Sequence, residues 1–188
     1  MKVIVQYVRP YPKTMLDLGC GEGVIGYLSL LLKEKMEKIV GVDIDIPSLR
    51  FCYEHKLYDR LVSHNVNKSL PFKDKEFDVV VSCELLEHLE KDKSMALLDE
   101  MERVGKWVVI STPTYFFQNA PELIKNEPMR HRCLWRPREF RQRGYTIRGT
   151  GGFQIFGHPM RYISYAFNGL TYLLPEISMS MVAWKKCV

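Results

Sequence analysis

Long apolar runs are what this chain most clearly lacks. Across 188 residues no stretch reaches the roughly 18 consecutive uncharged apolar residues of a membrane span. The longest uncharged runs, Trp107 to Pro121 and Tyr162 to Pro175, are broken by polar residues and proline. Cysteine is also sparse. Cys20, Cys52, Cys83, Cys133 and Cys187 are odd in number and never closer than 31 residues. That excludes a disulfide framework and a CxxC metal knuckle, and the five read as reduced thiols. Histidines are few and scattered; His131 with Cys133 is the closest His/Cys pair and lacks the further ligands a zinc site needs, so no metal is expected. The opening MKVIVQYVRPYPK is interrupted too early by Arg9, Pro10 and Pro12 to read as a signal peptide, which leads to the expectation of a cytoplasmic protein. There is no internal repeat and no low-complexity linker.

What is present is a globular composition, 46% apolar and 26% charged, enough for one core. The net charge of +5 is unevenly spread. Lys125, Arg130, Arg132, Arg136, Arg138, Arg141, Arg143 and Arg148 face only Glu127 and Glu139, so residues 125–148 carry +6 and the remainder sums to −1. Such a segment suits phosphate, carboxylate or nucleic acid, because guanidinium forks match those anions; a solvated helical face is the plainer reading.

Periodicity alternates between strand and helix. Thr14 to Leu18 is a short buried run that ends in the glycine cluster GCGEG. Val24, Leu28, Leu31 and Leu32 then recur at helical spacing, and Ile39 to Val42 begins a second strand. Ile46 to Lys56 reads as helix, Arg60 to Asn65 as strand, and FDVVVSC (Phe77 to Cys83) as a strand covered on both faces. Met95, Leu98 and Met101 stripe another helix, and WVVIS (Trp107 to Ser111) is a fifth strand. Pro137 to Gln142 reads as a proline-started helix, Tyr145 to Arg148 as a strand, and SMSMVAWK (Ser178 to Lys185) as the last strand. Repeated βα alternation predicts an α/β, doubly wound and mostly parallel sheet with its ligand crevice at the carboxyl ends of the strands. We read residues 1–188 as one domain, with a cofactor-binding half at 14–113 and a substrate-side half at 114–188.

The chemistry is densest in LDLGCGEGVIG (Leu16 to Gly26) and VGVDID (Val40 to Asp45). Glycines at 19, 21 and 23 strip Cβ atoms from the strand-to-helix turn, so a ligand can approach the backbone. Asp43 ends the next strand, where a carboxylate can accept two hydrogen bonds from a ribose diol. A nucleoside site follows, and two cofactor classes use such a site. Gly21, Gly23 and Gly26 spell the GxGxxG of dinucleotide binding, whereas Asp17 extends the pattern to DxGxGxG.

That longer pattern resembles motif I of the class I S-adenosylmethionine-dependent methyltransferases. Asn65 to Leu89, NVNKSLPFKDKEFDVVVSCELLEHL, looks like the family's following blocks. More weakly, MRHRCLWRPREFRQRGYTIRG resembles the late helix and sixth strand of small-metabolite methyltransferases. The resemblance implies a Rossmann-like sheet of seven strands with the last antiparallel, and S-adenosyl-L-methionine as cofactor. It places Asp17, Gly19 and Gly21 at the methionine end, Asp43 at the ribose hydroxyls and Ile44 on one face of the adenine. Val66 contacts the ring, and Ser82 and Cys83 form the wall at the end of the fourth strand. Asn65 stands where the family usually has Asp, so a charge-assisted bond to adenine becomes a neutral one and weaker binding is expected.

Methyl transfer from a sulfonium uses an already activated donor, so positioning accounts for much of the rate. For a hydroxyl acceptor a general base helps. His88 is the candidate, on a helix after the fourth strand and one turn from Glu84, which can orient it; a structural histidine–carboxylate pair is the plainer alternative. Glu84, Tyr115, His131 and Trp135 are candidates for the acceptor pocket. The leading expectation is a methyltransferase acting on a small acceptor, anionic where the arginine segment meets it. The other expectations are RNA or protein as acceptor, a nicotinamide-dependent oxidoreductase, and a cofactor-binding protein without turnover. No membrane partner is expected, and a homo-oligomer is left open.

Overall fold

The computed structural model describes residues 7–30, 36–114, 130–153 and 168–188. Its frame is set by Thr14–Leu18 (β1), which runs parallel to Lys38–Asp43 (β2) on one side and to Phe77–Cys83 (β4) on the other. A strand flanked on both edges and covered on both faces has no solvent side. The run MLDL of β1 and the valines of β4 are accordingly inaccessible. Arg60–Ser63 (β3) extends the parallel ladder beside β2. Gly105–Pro113 (β5), Thr146–Phe153 (β6) and Ser178–Lys186 (β7) complete a seven-stranded sheet in the order β3-β2-β1-β4-β5-β7-β6. The last strand pairs antiparallel with β6, from Thr146 opposite Trp184 to Phe153 opposite Ser178. This is the Rossmann-like sheet expected.

The helices are Val24–Leu30 (α1), Ile46–Glu54 (α2), Lys91–Val104 (α3), Pro137–Gln142 (α4) and Asn168–Leu173 (α5). Asp45 caps α2 by accepting from the Ser48 amide at 2.9 Å, with proline in the first turn. No helix among the described residues is long and apolar enough to cross a membrane. Two compact units are distinguished by their internal packing: Met1–Cys83 with Lys93–Val109 and Lys186–Val188, and Glu84–Asp92 with Ile110–Lys185. The first has a core of Met15, Leu16, Val40, Val42, Val80, Leu98 and Met101, all buried. Gly105 belongs to it because a Cβ there would lie 2.6 Å from Val80. The second is centred on Trp135 and Phe140, rings 4.8 Å apart, with Ile147, Met181 and Ala183 around them. Each large side chain so buried contributes roughly 1.5–3 kcal/mol.

Boundaries depart from the expected ones where single residues turn the chain. Helix α2 stops at Glu54 because Lys56 takes a φ of 52°. Strand β3 ends at Ser63, since the Asn65 side chain accepts from the Asn67 amide at 2.9 Å and starts a turn. His88 does not share a helix with Glu84: it lies in a short 3-10 turn, Leu86–His88, and Glu84 has a φ of 53° that bends the chain out of β4. Leu31, Leu32, Tyr115 and Lys125 lie outside the described residues, as does most of the aromatic stretch from Tyr162.

Candidate functional site

The parallel register decides what meets at the carboxyl end of the sheet. Leu18 pairs with Val42, so the residues that follow each strand are neighbours. The amides of Gly19 and Cys20 both donate to the Val42 carbonyl, at 2.9 and 3.0 Å, and hold the glycine turn against β2. Asp43 then closes the arrangement. One carboxylate oxygen accepts from the Gly21 amide at 2.7 Å, the other from the Asp45 amide at 2.9 Å. A carboxylate offers about four lone-pair positions, so a fixed and oriented Asp43 keeps acceptor capacity for a diol.

The glycines of the turn are not equivalent. Gly21 has a φ of 48°, and a Cβ there would meet nothing within 4 Å, so its backbone borders open space. At Gly23 a Cβ would lie 2.5 Å from Leu57, and at Gly26 it would lie 2.6 Å from the Tyr58 ring. Those two serve packing. Gly21 alone of the three offers bare backbone to a ligand.

Beneath the turn lies a buried polar relay. The Tyr58 hydroxyl accepts from the Gly26 amide at 3.0 Å, satisfying a first-turn donor of α1, and donates to Asp17 at 2.6 Å. Asp17 is 1% exposed. Burial pushes its carboxyl up to about 7, the Tyr58 bond opposing and the charge of Asp43 adding to the shift. Burial and Asp17 also raise the Tyr58 phenol. Cys20 and Cys52 are buried close by, their thiols raised chiefly by desolvation, and Cys52 donates to the Gly21 carbonyl at 3.2 Å. Tyr58 is a residue the sequence analysis missed.

The other expected cofactor residues of this unit are placed as follows. Ile44 is exposed directly after β2, and Asn65 and Val66 are half-buried in the turn after β3. The Asn65 oxygen already serves the Asn67 amide, so its amide group retains one acceptor position and both donors. Ser82 is buried with its hydroxyl unpartnered, and Cys83 is half-buried. An adenosyl group is compatible with this donor set: bare backbone at Gly21, spare carboxylate lone pairs at Asp43 and an orphaned hydroxyl at Ser82.

The second unit contains a separate polar cluster. Glu84 accepts from the Ser111 hydroxyl at 2.8 Å, and its amide bonds to the Ser111 carbonyl. Glu87 is 2% exposed. One of its oxygens accepts from Thr112 at 3.0 Å, while the other is buried without a partner. Burial, reinforced by the negative charge of Glu84, pushes its carboxyl up to about 8. The His88 ring lies 5.0 Å from that of His131, edge to face, and its Nδ1 is 3.3 Å from the Arg130 carbonyl. Burial lowers His131, with His88 adding to the effect. Trp135, by contrast, is a core residue with the Lys91 ammonium 3.4 Å over its ring. Glu87 was missed in the sequence, although an acid enclosed by Leu85, Leu86 and Leu89 is a sign of a buried carboxyl.

Comparison with known proteins agrees with this architecture. Residues 16–107 match a family model described as a methyltransferase domain. Over 112 residues the chain is 28% identical to the mitochondrial ubiquinone biosynthesis O-methyltransferase of Dictyostelium discoideum, covering 52% of this chain and 34% of that protein. An uncharacterized protein of Methanocaldococcus jannaschii is 33% identical over 117 residues, 60% of this chain and 44% of its own length. The chain thus spans less than half the length of either relative. The crystal structure of an S-adenosylmethionine-dependent methyltransferase from Archaeoglobus fulgidus superposes with a TM-score of 0.66 at 20% identity, covering 97% of this chain and 89% of that one, which shows a shared fold. By its motifs, its sheet and the match of residues 16–107 to a methyltransferase domain, the chain is similar to the class I S-adenosylmethionine-dependent methyltransferases and shares their fold.

Proposed function

We propose that the protein transfers the methyl group of S-adenosylmethionine to a small acceptor through an oxygen nucleophile. The observation that carries this reading is Asp43, fixed on both oxygens by backbone amides beside the bare backbone of Gly21. In this reading Asp43 receives the ribose hydroxyls, Gly19 and Gly21 with the buried carboxyl of Asp17 serve the methionine end, Ile44, Asn65 and Val66 serve the adenine, and Cys83 is part of the wall at the end of β4. His88 takes the acceptor's proton. The Dictyostelium relative, named an O-methyltransferase of ubiquinone biosynthesis, supports a small oxygen acceptor.

Calorimetry with S-adenosylhomocysteine tests the donor half directly. The wild-type protein binds, and Asp43→Ala weakens binding by more than about tenfold, the equivalent of one charge-assisted hydrogen bond. Absence of binding to the wild type, or undiminished binding to the variant, overturns the reading.

A further inference from the structure

The polar cluster of the second unit has the composition of a metal site. Glu87, His88 and His131 each direct a ligating atom to one place, the three atoms lying within 4.8 Å of one another. Ligands about 2.1 Å from a cation stand roughly 3 to 4 Å apart, so small rotations of the side chains close the set. The second oxygen of Glu87 makes the point independently. It belongs to a carboxylate 98% removed from solvent and has no hydrogen-bond partner in the structure. A buried acceptor left unsatisfied is costly and calls for a counterpart.

The surroundings match what orients metal ligands elsewhere. Thr112 donates to the Glu87 oxygen that is not orphaned, at 3.0 Å, and so fixes the carboxylate plane. The Arg130 carbonyl 3.3 Å from His88 Nδ1 favours a hydrogen on that nitrogen, which leaves the lone pair on Nε2. Glu84, itself held by Ser111, adds negative charge near Glu87, which favours a cation there. His88 and His131 are half-buried, so the position is reachable from solvent.

We infer that Glu87, His88 and His131 bind a divalent first-row transition cation, of the manganese, cobalt or zinc type. Two imidazoles with carboxylate select that class over calcium or magnesium, which take oxygen ligands. Three protein ligands leave coordination positions open to water or an oxygen-bearing ligand. A ring nitrogen that ligates a cation cannot also take a proton, so the loaded state and the general-base role of His88 exclude each other. The inference is independent of the donor half of the methyltransferase reading, because nothing in it involves the adenosyl site, and it competes with that reading only over the role of His88.

Cobalt(II) titrated into the full chain without S-adenosylmethionine tests it through the visible ligand-field absorption. One equivalent saturates the wild type, and excess zinc bleaches the band. His131→Ala, at a half-exposed position expected to fold, lowers cobalt affinity by more than roughly tenfold, the loss that even an outer-shell partner causes. Glu87→Gln does the same, its folding checked by circular dichroism. A wild type that gives no band, or a His131→Ala protein that binds cobalt as tightly as the wild type, overturns the inference. Binding of S-adenosylhomocysteine is measured separately and is unaffected by either result.

Discussion

Asp17 shows how a family acid can work without touching solvent. Its carboxylate is buried under the glycine turn and takes the Tyr58 hydroxyl at 2.6 Å, while that hydroxyl receives the Gly26 amide. Because the folded protein raises this carboxyl from 3.8 to about 7, the native state holds its proton where the unfolded chain has lost it. The linkage sign follows: stability from this group is fully present below about pH 4, falls as pH rises, and is lost once pH passes about 7. The loss is on the order of a few kcal/mol. Asp17→Asn keeps an oxygen to accept from Tyr58 but has no proton to lose. Urea unfolding of the two proteins between about pH 4.5 and 9.5 is therefore expected to give a midpoint that declines in the wild type relative to the variant, with a flat difference above about pH 8. Parallel profiles would mean that Asp17 is not the group responsible.

At the level of elements, the turn between β1 and α1 divides its duties among glycines that look alike in sequence. Gly21 is needed for what approaches from outside, Gly26 for what lies behind. Adding a methyl group at Gly21 puts it into open space at a left-handed φ of 48°, with a strain cost of about 1 kcal/mol. At Gly26 the methyl meets the Tyr58 ring at 2.6 Å and the Leu57 carbonyl at 3.0 Å, an overpacking cost of about 1–3 kcal/mol with damage to the relay below. The two variants should therefore fail in different assays. Gly21→Ala melts close to the wild type but loses S-adenosylhomocysteine affinity, because its methyl occupies the ligand's side. Gly26→Ala melts several degrees lower and, at temperatures where it is folded, keeps more of its affinity. Thermal melts beside calorimetry on the same preparations distinguish these outcomes, and equal losses in both assays would show that the division does not exist.

On the scale of the whole molecule, the antiparallel last strand was implied by the family resemblance, whereas the succession of strands along the chain, the glycine turn and the position of Asp43 were legible because each rests on local pattern: a buried run, a turn or a strand-end acid. Tyr58 and the Glu87–His88–His131 cluster were not. Tyr58 reaches Asp17 across 41 residues, and His131 joins His88 only through folding of the chain between them. The arginine segment shows the same limit, because sequence counts charge and folding pairs it. Among the described residues, Arg132 pairs with Glu90 at 3.3 Å, Arg141 pairs with Glu176, and the Arg148 guanidinium lies over Tyr172 and Trp184. Arg130, Arg136 and Arg138 are exposed as well. A polyanion held by many phosphate contacts loses affinity steeply with salt, roughly 0.7 logarithmic units per tenfold salt for each phosphate neutralised on a single strand. Three exposed arginines set on phosphates correspond to a fall of roughly twentyfold between 50 and 200 mM salt, whereas a small acceptor in a closed site is nearly indifferent to salt. Labelled methyl transfer to pooled small metabolites is accordingly expected to change less than about threefold between 50 and 200 mM salt, and to survive Arg136→Gln with Arg138→Gln. Transfer to RNA that falls more than tenfold over the same range, and disappears in the double variant, would instead make nucleic acid the acceptor.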